Sequence, residues 1–372
     1  LGIHEYGAIG NQSSVALVSR LGSIDWCCLP FLDSPSHFGA LLDENQGGFF
    51  RISPQGDFHS EQRYIERTNV LETLFETPEG RGVLTDWMPM GGEFTRETLI
   101  HRRVTVIEGT VDWTLLCKPR FGYGAEGATA ECFKDGVLFR GPQIGDIGLL
   151  RADRSIQIAS GSRAQGTFRL SQGNSAQFTW IWGRHGRLEG FPDPDEATEF
   201  WRDWAHTCPT PPCPLAGPWH DQAVRSGLIL KLLSSHFAGS IAEAATTSLP
   251  SLAGGTRNWD YRYAWIRHAA HTFQALAGLG HLDEARLFFE WLSDVVIRDG
   301  AEGLQSVYTL DGGRFLPERE LGSLSGYEGA RPVRVGNLAA RQFQLDVFGH
   351  VLLAAEQYYQ ACQELPTGLW PR

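Results

Sequence analysis

Phe191-Pro192-Asp193-Pro194-Asp195 separates two kinds of sequence. Two prolines in this stretch lack the backbone N–H that a continuing strand or helix would use, so regular structure is interrupted here. Before it, short apolar or alternating runs recur, among them Ser14-Val15-Ala16-Leu17-Val18, Val70-Leu71-Glu72-Thr73-Leu74-Phe75 and Phe178-Thr179-Trp180-Ile181-Trp182. Turn formers stand between such runs: Pro54-Gln55-Gly56-Asp57, Pro78-Glu79-Gly80 and Lys134-Asp135-Gly136. Many short strands with frequent turns and no helical period predict an antiparallel β-sandwich over residues 1–190.

Beyond the break, a helical stretch at Thr198–Trp204 runs into a proline-rich segment from Pro209 to Pro214. Residues 191–217 therefore read as a linker with a helix. From residue 218 the apolar period becomes 3.6. Val224, Leu228, Leu232 and Leu233 fall on one face, as do Leu287, Phe288, Trp291, Leu292 and Val295, and again Leu345, Phe348, Val351, Leu352 and Ala355. With a further helix over 264–278, four long helices are expected in 218–372. Two long loops, 238–262 and 300–337, emerge among them, and loops of that length are usually functional.

Composition narrows the partners. A net charge of −11, from 32 basic and 43 acidic residues with no Lys/Arg block, argues against nucleic acid and anionic lipid. No apolar run approaches the roughly 20 residues of a membrane-spanning helix. The first residues, LGIHEYGAIG, lack the basic start and apolar core of a secretory signal. Seven cysteines are scattered along the chain, and neither Cys27-Cys28 nor Cys208-x4-Cys213 has zinc-site spacing. These features predict a soluble cytoplasmic protein with reduced thiols. A neutral or cationic ligand fits the charge best.

The segment Arg257-Asn258-Trp259-Asp260-Tyr261-Arg262-Tyr263-Ala264-Trp265-Ile266-Arg267-His268 concentrates the candidate chemistry. Its four aromatic residues suit either a packed core or the C–H face of a sugar. His268 and His271 stand at i, i+3, but two ligands without a third do not make a metal site, so no metal is expected. Asp260 and Arg262 read as a structural ion pair. Glu318, Glu320 and Glu328 read as solvated loop carboxylates, while Arg331 and Arg334 could reach a ligand or brace the loop.

Three blocks stand out, in this order along the chain. The first is Tyr6-Gly7-Ala8-Ile9-Gly10 with Gly22-Ser23-Ile24-Asp25-Trp26 and Asp33-Ser34-Pro35. The second joins Thr246-Thr247-Ser248-Leu249-Pro250 to Gly254-Gly255 and the aromatic segment above. The third comprises Leu316-Pro317-Glu318-Arg319-Glu320-Leu321, Arg331-Pro332-Val333-Arg334-Val335-Gly336-Asn337 and Gln344-Leu345-Asp346-Val347.

Together the three blocks resemble glycoside hydrolase family 15, the group of bacterial glucoamylases, glucodextranases and trehalase-like proteins. The resemblance implies a β-sandwich followed by an (α/α)6 barrel, of which residues 218–372 would form an incomplete first part. It implies an α-glucosidic oligosaccharide or disaccharide as ligand, hydrolysed by inversion without a cofactor. Inversion uses two carboxyl groups roughly 6.5–9.5 Å apart. By the resemblance both lie on loops beyond Gln344-Leu345-Asp346-Val347, so no catalytic residue is assigned and the 372 residues are expected to be inactive alone. A non-catalytic descendant that binds carbohydrate or a protein is the alternative. Tyr261, Trp265, Arg267, His268 and Arg331 are the expected substrate-binding residues. Trp265-Ile266-Arg267-His268 matches the family's Trp-x-Arg-Asp segment, with His268 standing in place of the acid. Ala245, Ser251 and Glu328 also depart from the family pattern.

Overall fold

A computed structural model of the chain describes residues 1–90, 97–125, 127–143, 146–183, 190–205 and 217–363. The proline-rich segment at 209–214, with Cys208 and Cys213, lies outside the described residues. The chain divides into two compact units, one of Leu1–Asp203 with Gly322–Gly329 and one of Trp204–Leu321 with Ala330–Arg372.

The first unit is antiparallel β structure, as the alternating runs predict. Its first sheet contains β1 (Tyr6–Gly10), β2 (Val15–Ser19), β3 (Ser23–Cys28), β4 (Ser36–Phe38), β5 (Phe49–Pro54), β13 (Gln157–Ala159) and β14 (Arg163–Ser171). The second contains β6 (His59–Tyr64), β7 (Leu71–Thr77), β8 (Gly80–Trp87), β10 (Thr129–Phe133), β11 (Gly136–Arg140), β12 (Ile147–Ala152) and β15 (Ser175–Gly183). The 22-residue strand β9 (Glu97–Lys118) belongs to both. Its first half pairs with β8 and β15, its second half with β5 and β14. Gly109 sits at the changeover with φ +66°, and a Cβ there would lie 2.2 Å from the Glu79 carbonyl oxygen. Only glycine takes that conformation at no steric cost.

Trp113 and Trp180 are fully buried in the sandwich core with Phe50, Phe75 and Phe139. One ion pair is buried among them. Arg102 donates from Nε and Nη2 to the two oxygens of Asp86, at 2.7 and 3.2 Å, and also reaches the carbonyls of Phe50 and Gly22. The planar guanidinium thus ties three strands together, and every charge it brings inside has a partner. The helix α1 (Asp195–Trp204) begins with Asp195 and Glu196, which suit the positive end of its dipole, and buries Ala197, Thr198 and Trp201.

Helices dominate the second unit: α2 (His220–Leu233), α3 (Ala269–Gly278), α4 (Leu282–Gly303) and α5 (Asp346–Cys362). Phe273 of α3, Phe289 of α4 and Tyr358 of α5 meet as three rings, with Phe289 stacked on Tyr358 at 4.4 Å between centroids. An aromatic pair of this kind adds about 0.5–1.5 kcal/mol beyond its buried area. Trp204 stacks on His281 at 3.8 Å and donates to Glu284, which also receives Lys231 of α2.

Two helical faces differ from the pattern expected of the sequence. Leu287 is exposed although Phe288, Trp291, Leu292 and Val295 of the same stripe are buried. In α5 the buried residues are Val347, Ala354 and Tyr358, whereas Leu345 and Leu352 are exposed. Apolar residues surround much of α5, so periodicity alone does not choose a face. The packing of α3 against α5 chooses it. Among the described residues no helix is long and apolar enough to cross a membrane.

Candidate sugar-binding site

The frame of the site is a hydrogen-bonded knot in the helical unit. Asp260 and Arg262 are both fully buried, and Arg262 donates from Nε and Nη2 to the two carboxylate oxygens at 2.9 and 2.7 Å. The Gly336 amide donates to the same carboxylate at 3.2 Å, and Asn337 Nδ2 to the Asp260 carbonyl at 2.9 Å. Gly336 has φ +78°, and a Cβ there would sit 2.0 Å from the Pro317 carbonyl oxygen, so no other residue lets the two loops approach so closely. Thr247 and Ser248 complete the knot by donating to the Arg334 carbonyl at 2.6 and 2.9 Å.

Arg334 is thereby a brace. Its guanidinium contacts Asn258 Oδ1 and the Thr256 carbonyl, stands 3.5 Å from both Glu318 and Glu320, and lies over the Trp259 ring. These two loop carboxylates are engaged by Arg334. Arg331 is exposed and makes no hydrogen bond or ion pair with the described residues. The structure does not bring it to the other expected contacts.

From this frame the chain runs into the strand pair of Ala264–Trp265 with Val307–Tyr308. A short 3-10 turn, Ile266–His268, then leads into α3. Trp265 and Tyr263 are buried in a cluster with Val307 and Leu316, and Tyr261 packs against it. The Tyr261 and Trp265 rings are 5.8 Å apart, and Arg267 lies 5.6 Å above Trp265. Arg267 donates from Nε to Asp346 Oδ2 at 3.1 Å and from Nη2 to Gln344 Oε1, so the residues before and at the start of α5 hold the guanidinium. His268 Nδ1 stands 3.5 Å from Glu243 Oε2. This contact with Glu243 raises the imidazole pKa above its ordinary value, and partial burial opposes the rise. Burial and the Glu243 charge likewise push the Tyr261 hydroxyl pKa up.

Four of the five expected residues, Tyr261, Trp265, Arg267 and His268, are thus gathered at the head of α3. Sequence reasoning missed Glu243 and the clamp made by Gln344 and Asp346. Gln344 and Asp346 belong to a quoted block, which was the available signal. Glu243 carried none, because a lone loop glutamate has no spacing that links it to a histidine 25 residues on. Among the described residues no three His, Cys, Asp or Glu side chains gather as a metal site, and His271 faces His350 at 6.5 Å between ring centroids.

Such a wall offers one fixed guanidinium, a carboxylate–imidazole pair and two aromatic rings, which together can hold vicinal hydroxyls and a sugar C–H face. Two protein-family patterns match the sequence. The pattern described as Glycosyl hydrolases family 15 matches residues 218–372, and the one described as Trehalase-like, N-terminal matches residues 2–152. The chain is a trehalase-like member of glycoside hydrolase family 15. Family 15 relatives include the trehalase of Mycobacterium tuberculosis, 33% identical with 99% of this chain and 58% of the relative covered. The trehalase of Thermoplasma volcanium is also 33% identical, over 99% of this chain and 59% of the relative. The chain thus spans somewhat under two thirds of the length of these relatives. In fold it is similar to a bacterial glucoamylase crystallised with acarbose, at a TM-score of 0.57 and 12% identity, covering 82% of this chain and 52% of that one. The fold of this family 15 chain accordingly joins an antiparallel β domain to the helical arrangement found in that glucoamylase.

Proposed function

We propose that the chain supplies the glucose-holding wall of an α-glucoside hydrolase, with trehalose as the substrate. The observation that carries this reading is the clamped Arg267. It is fixed by Asp346 and Gln344, backed by Trp265, and flanked by the half-buried Tyr261. A guanidinium held in advance donates to sugar hydroxyls without a further loss of side-chain freedom on binding. The trehalase relatives supply the substrate class.

In this reading Tyr261 and the edge of Trp265 pack the sugar ring, Arg267 donates to its hydroxyls, and His268 with Glu243 replaces the family's acid. A carboxylate there would accept two or more hydroxyl hydrogen bonds, whereas a neutral imidazole accepts one. Arg331, exposed on the loop, is the fifth contact we assign to the sugar. Hydrolysis would proceed by inversion with two carboxyl groups that are not assigned to any residue of this chain. Asp346 accepts from Arg267, and Glu243 stands 3.5 Å from His268. The wall as built binds glucose and does not cleave it. We place the protein in the cytoplasm, which its buried free thiols Cys27 and Cys117 suit.

Incubating the 372-residue chain with trehalose, maltose and isomaltose tests the reading. Binding of trehalose at millimolar concentration or tighter, without release of glucose, is expected. Glucose release clearly above a buffer control would contradict it.

A further inference from the structure

A cleft of about 660 Å³ lies wholly within the sandwich unit, lined by strands β1, β3 and β5, the turn at Asp43–Asn45 and the segment Ser325–Gly329. Its volume falls within the range of about 300–1,000 Å³ typical of small-molecule sites. At its floor, Tyr6 Oη donates to Asp25 Oδ2 at 3.0 Å and Ser23 Oγ to Asp25 Oδ1 at 2.5 Å. The rim is fixed in advance. The Ser325 amide donates to Asp43 Oδ2 at 2.9 Å, its hydroxyl to the Leu42 carbonyl at 3.3 Å, and Tyr327 Oη accepts from the Ile3 amide at 2.9 Å.

Two lining groups are left over. The Arg51 guanidinium rests over the Phe49 ring, with its carbon 5.5 Å from the centroid, and has no hydrogen-bond partner among the described residues. The Glu44 carboxylate, exposed at the mouth, also has none among them. An unpaired donor fork and an unpaired carboxylate in one cleft call for a ligand that both accepts and donates.

We propose that this cleft is a second saccharide site, in which Arg51 and Glu44 hold vicinal hydroxyls of a neutral mono- or disaccharide and Phe49 packs its C–H face. A hydroxyl accepts from the guanidinium and its neighbour donates to the carboxylate, a pairing that no simple anion or cation provides. Asp25, Asp43, Glu44 and Glu328 face a single arginine in the lining, and that balance disfavours phosphates and other anions. Arg51 in turn disfavours a simple cation. The Phe49 ring, one face of which the guanidinium covers, leaves an apolar edge against which a sugar C–H can pack and an ion gains nothing. This inference does not rest on the Arg267 wall, since every residue it uses lies in the other unit.

Ligand-observed NMR and calorimetry on the full 372-residue chain, with glucose, maltose and trehalose as probes, test it. The proposal expects saccharide binding that persists in Arg267→Ala. It expects a loss of about tenfold or more in affinity for that remaining site on Arg51→Ala or Glu44→Gln, a factor equivalent to ~1.4 kcal/mol. Glu44 is exposed in a turn, so its glutamine variant keeps the fold, and a thermal melt verifies this for both. Saccharide binding abolished by Arg267→Ala alone would overturn the cleft while leaving the Arg267 wall standing. Binding in Arg267→Ala that is unchanged by both cleft variants would overturn it too. Binding of free glutamate or arginine at the cleft with no saccharide binding would show a zwitterion site and refute the ligand class.

Discussion

His268 Nδ1 lies 3.5 Å from Glu243 Oε2, so the imidazole at the head of α3 has a carboxylate beside it. The Glu243 carboxylate raises the His268 pKa, and partial burial opposes the rise.

Glu243→Gln should bring the His268 titration down toward the ordinary histidine value. Because the folded pKa is the raised one, the pair stabilises the fold fully below the unfolded-state pKa and loses that contribution as pH rises through the folded value. NMR titration of the imidazole protons reads the shift directly. An unmoved midpoint would show that Glu243 does not engage His268.

Among the described residues each unit contains a fully buried Arg–Asp pair, Arg102 with Asp86 and Arg262 with Asp260. Asp86→Asn and Asp260→Asn leave a guanidinium buried without its counter-charge. Each should destabilise its own unit by about 3–5 kcal/mol. Urea denaturation followed by tryptophan fluorescence measures this, and a cost under about 1 kcal/mol for either would mean that the pair is solvated.

Acid should loosen the sandwich before the carboxylates titrate. His37 and His101 are buried, and burial holds both imidazoles down to about 3. They stay neutral in the fold but take up protons in the unfolded chain below about pH 6.5. Stability is therefore complete above the unfolded-state pKa and falls as pH drops toward 3, by up to about 1.4 kcal/mol per pH unit for each histidine. Denaturation midpoints between pH 7 and 4 check this, and a flat profile would contradict it.

Gly336→Ala should disrupt the frame behind Arg267. The new Cβ meets the Pro317 carbonyl 2.0 Å away in a left-handed backbone conformation. A loss of about 1–3 kcal/mol is expected, together with faster proteolysis in 300–337. Unchanged proteolysis and an unchanged melt would mean that the two loops can part at no cost.

Much of the architecture is legible in the sequence because it is local. The two-residue period of Leu71–Phe75 and the 3.6-residue period of Phe288–Val295 each report which face is buried before any partner is known. Where apolar residues surround a helix, as in α5, the local signal fails, and Val347, Ala354 and Tyr358 are chosen by a neighbour. The site shows the same division. Tyr261, Trp265, Arg267 and His268 are neighbours in sequence and could be read together. Glu243 reaches His268 through the fold, and Ser325–Gly329 joins the sandwich unit from more than 100 residues away in the chain.

Titrating trehalose into the chain carrying Arg51→Ala, so that the sandwich cleft is silent, tests the clamped Arg267 wall most directly. The account predicts binding at millimolar concentration or tighter with no glucose released, weakened about 10- to 100-fold by adding Arg267→Ala, as the loss of a hydrogen bond from a charged group implies. Absence of binding, or affinity indifferent to Arg267→Ala, would contradict it.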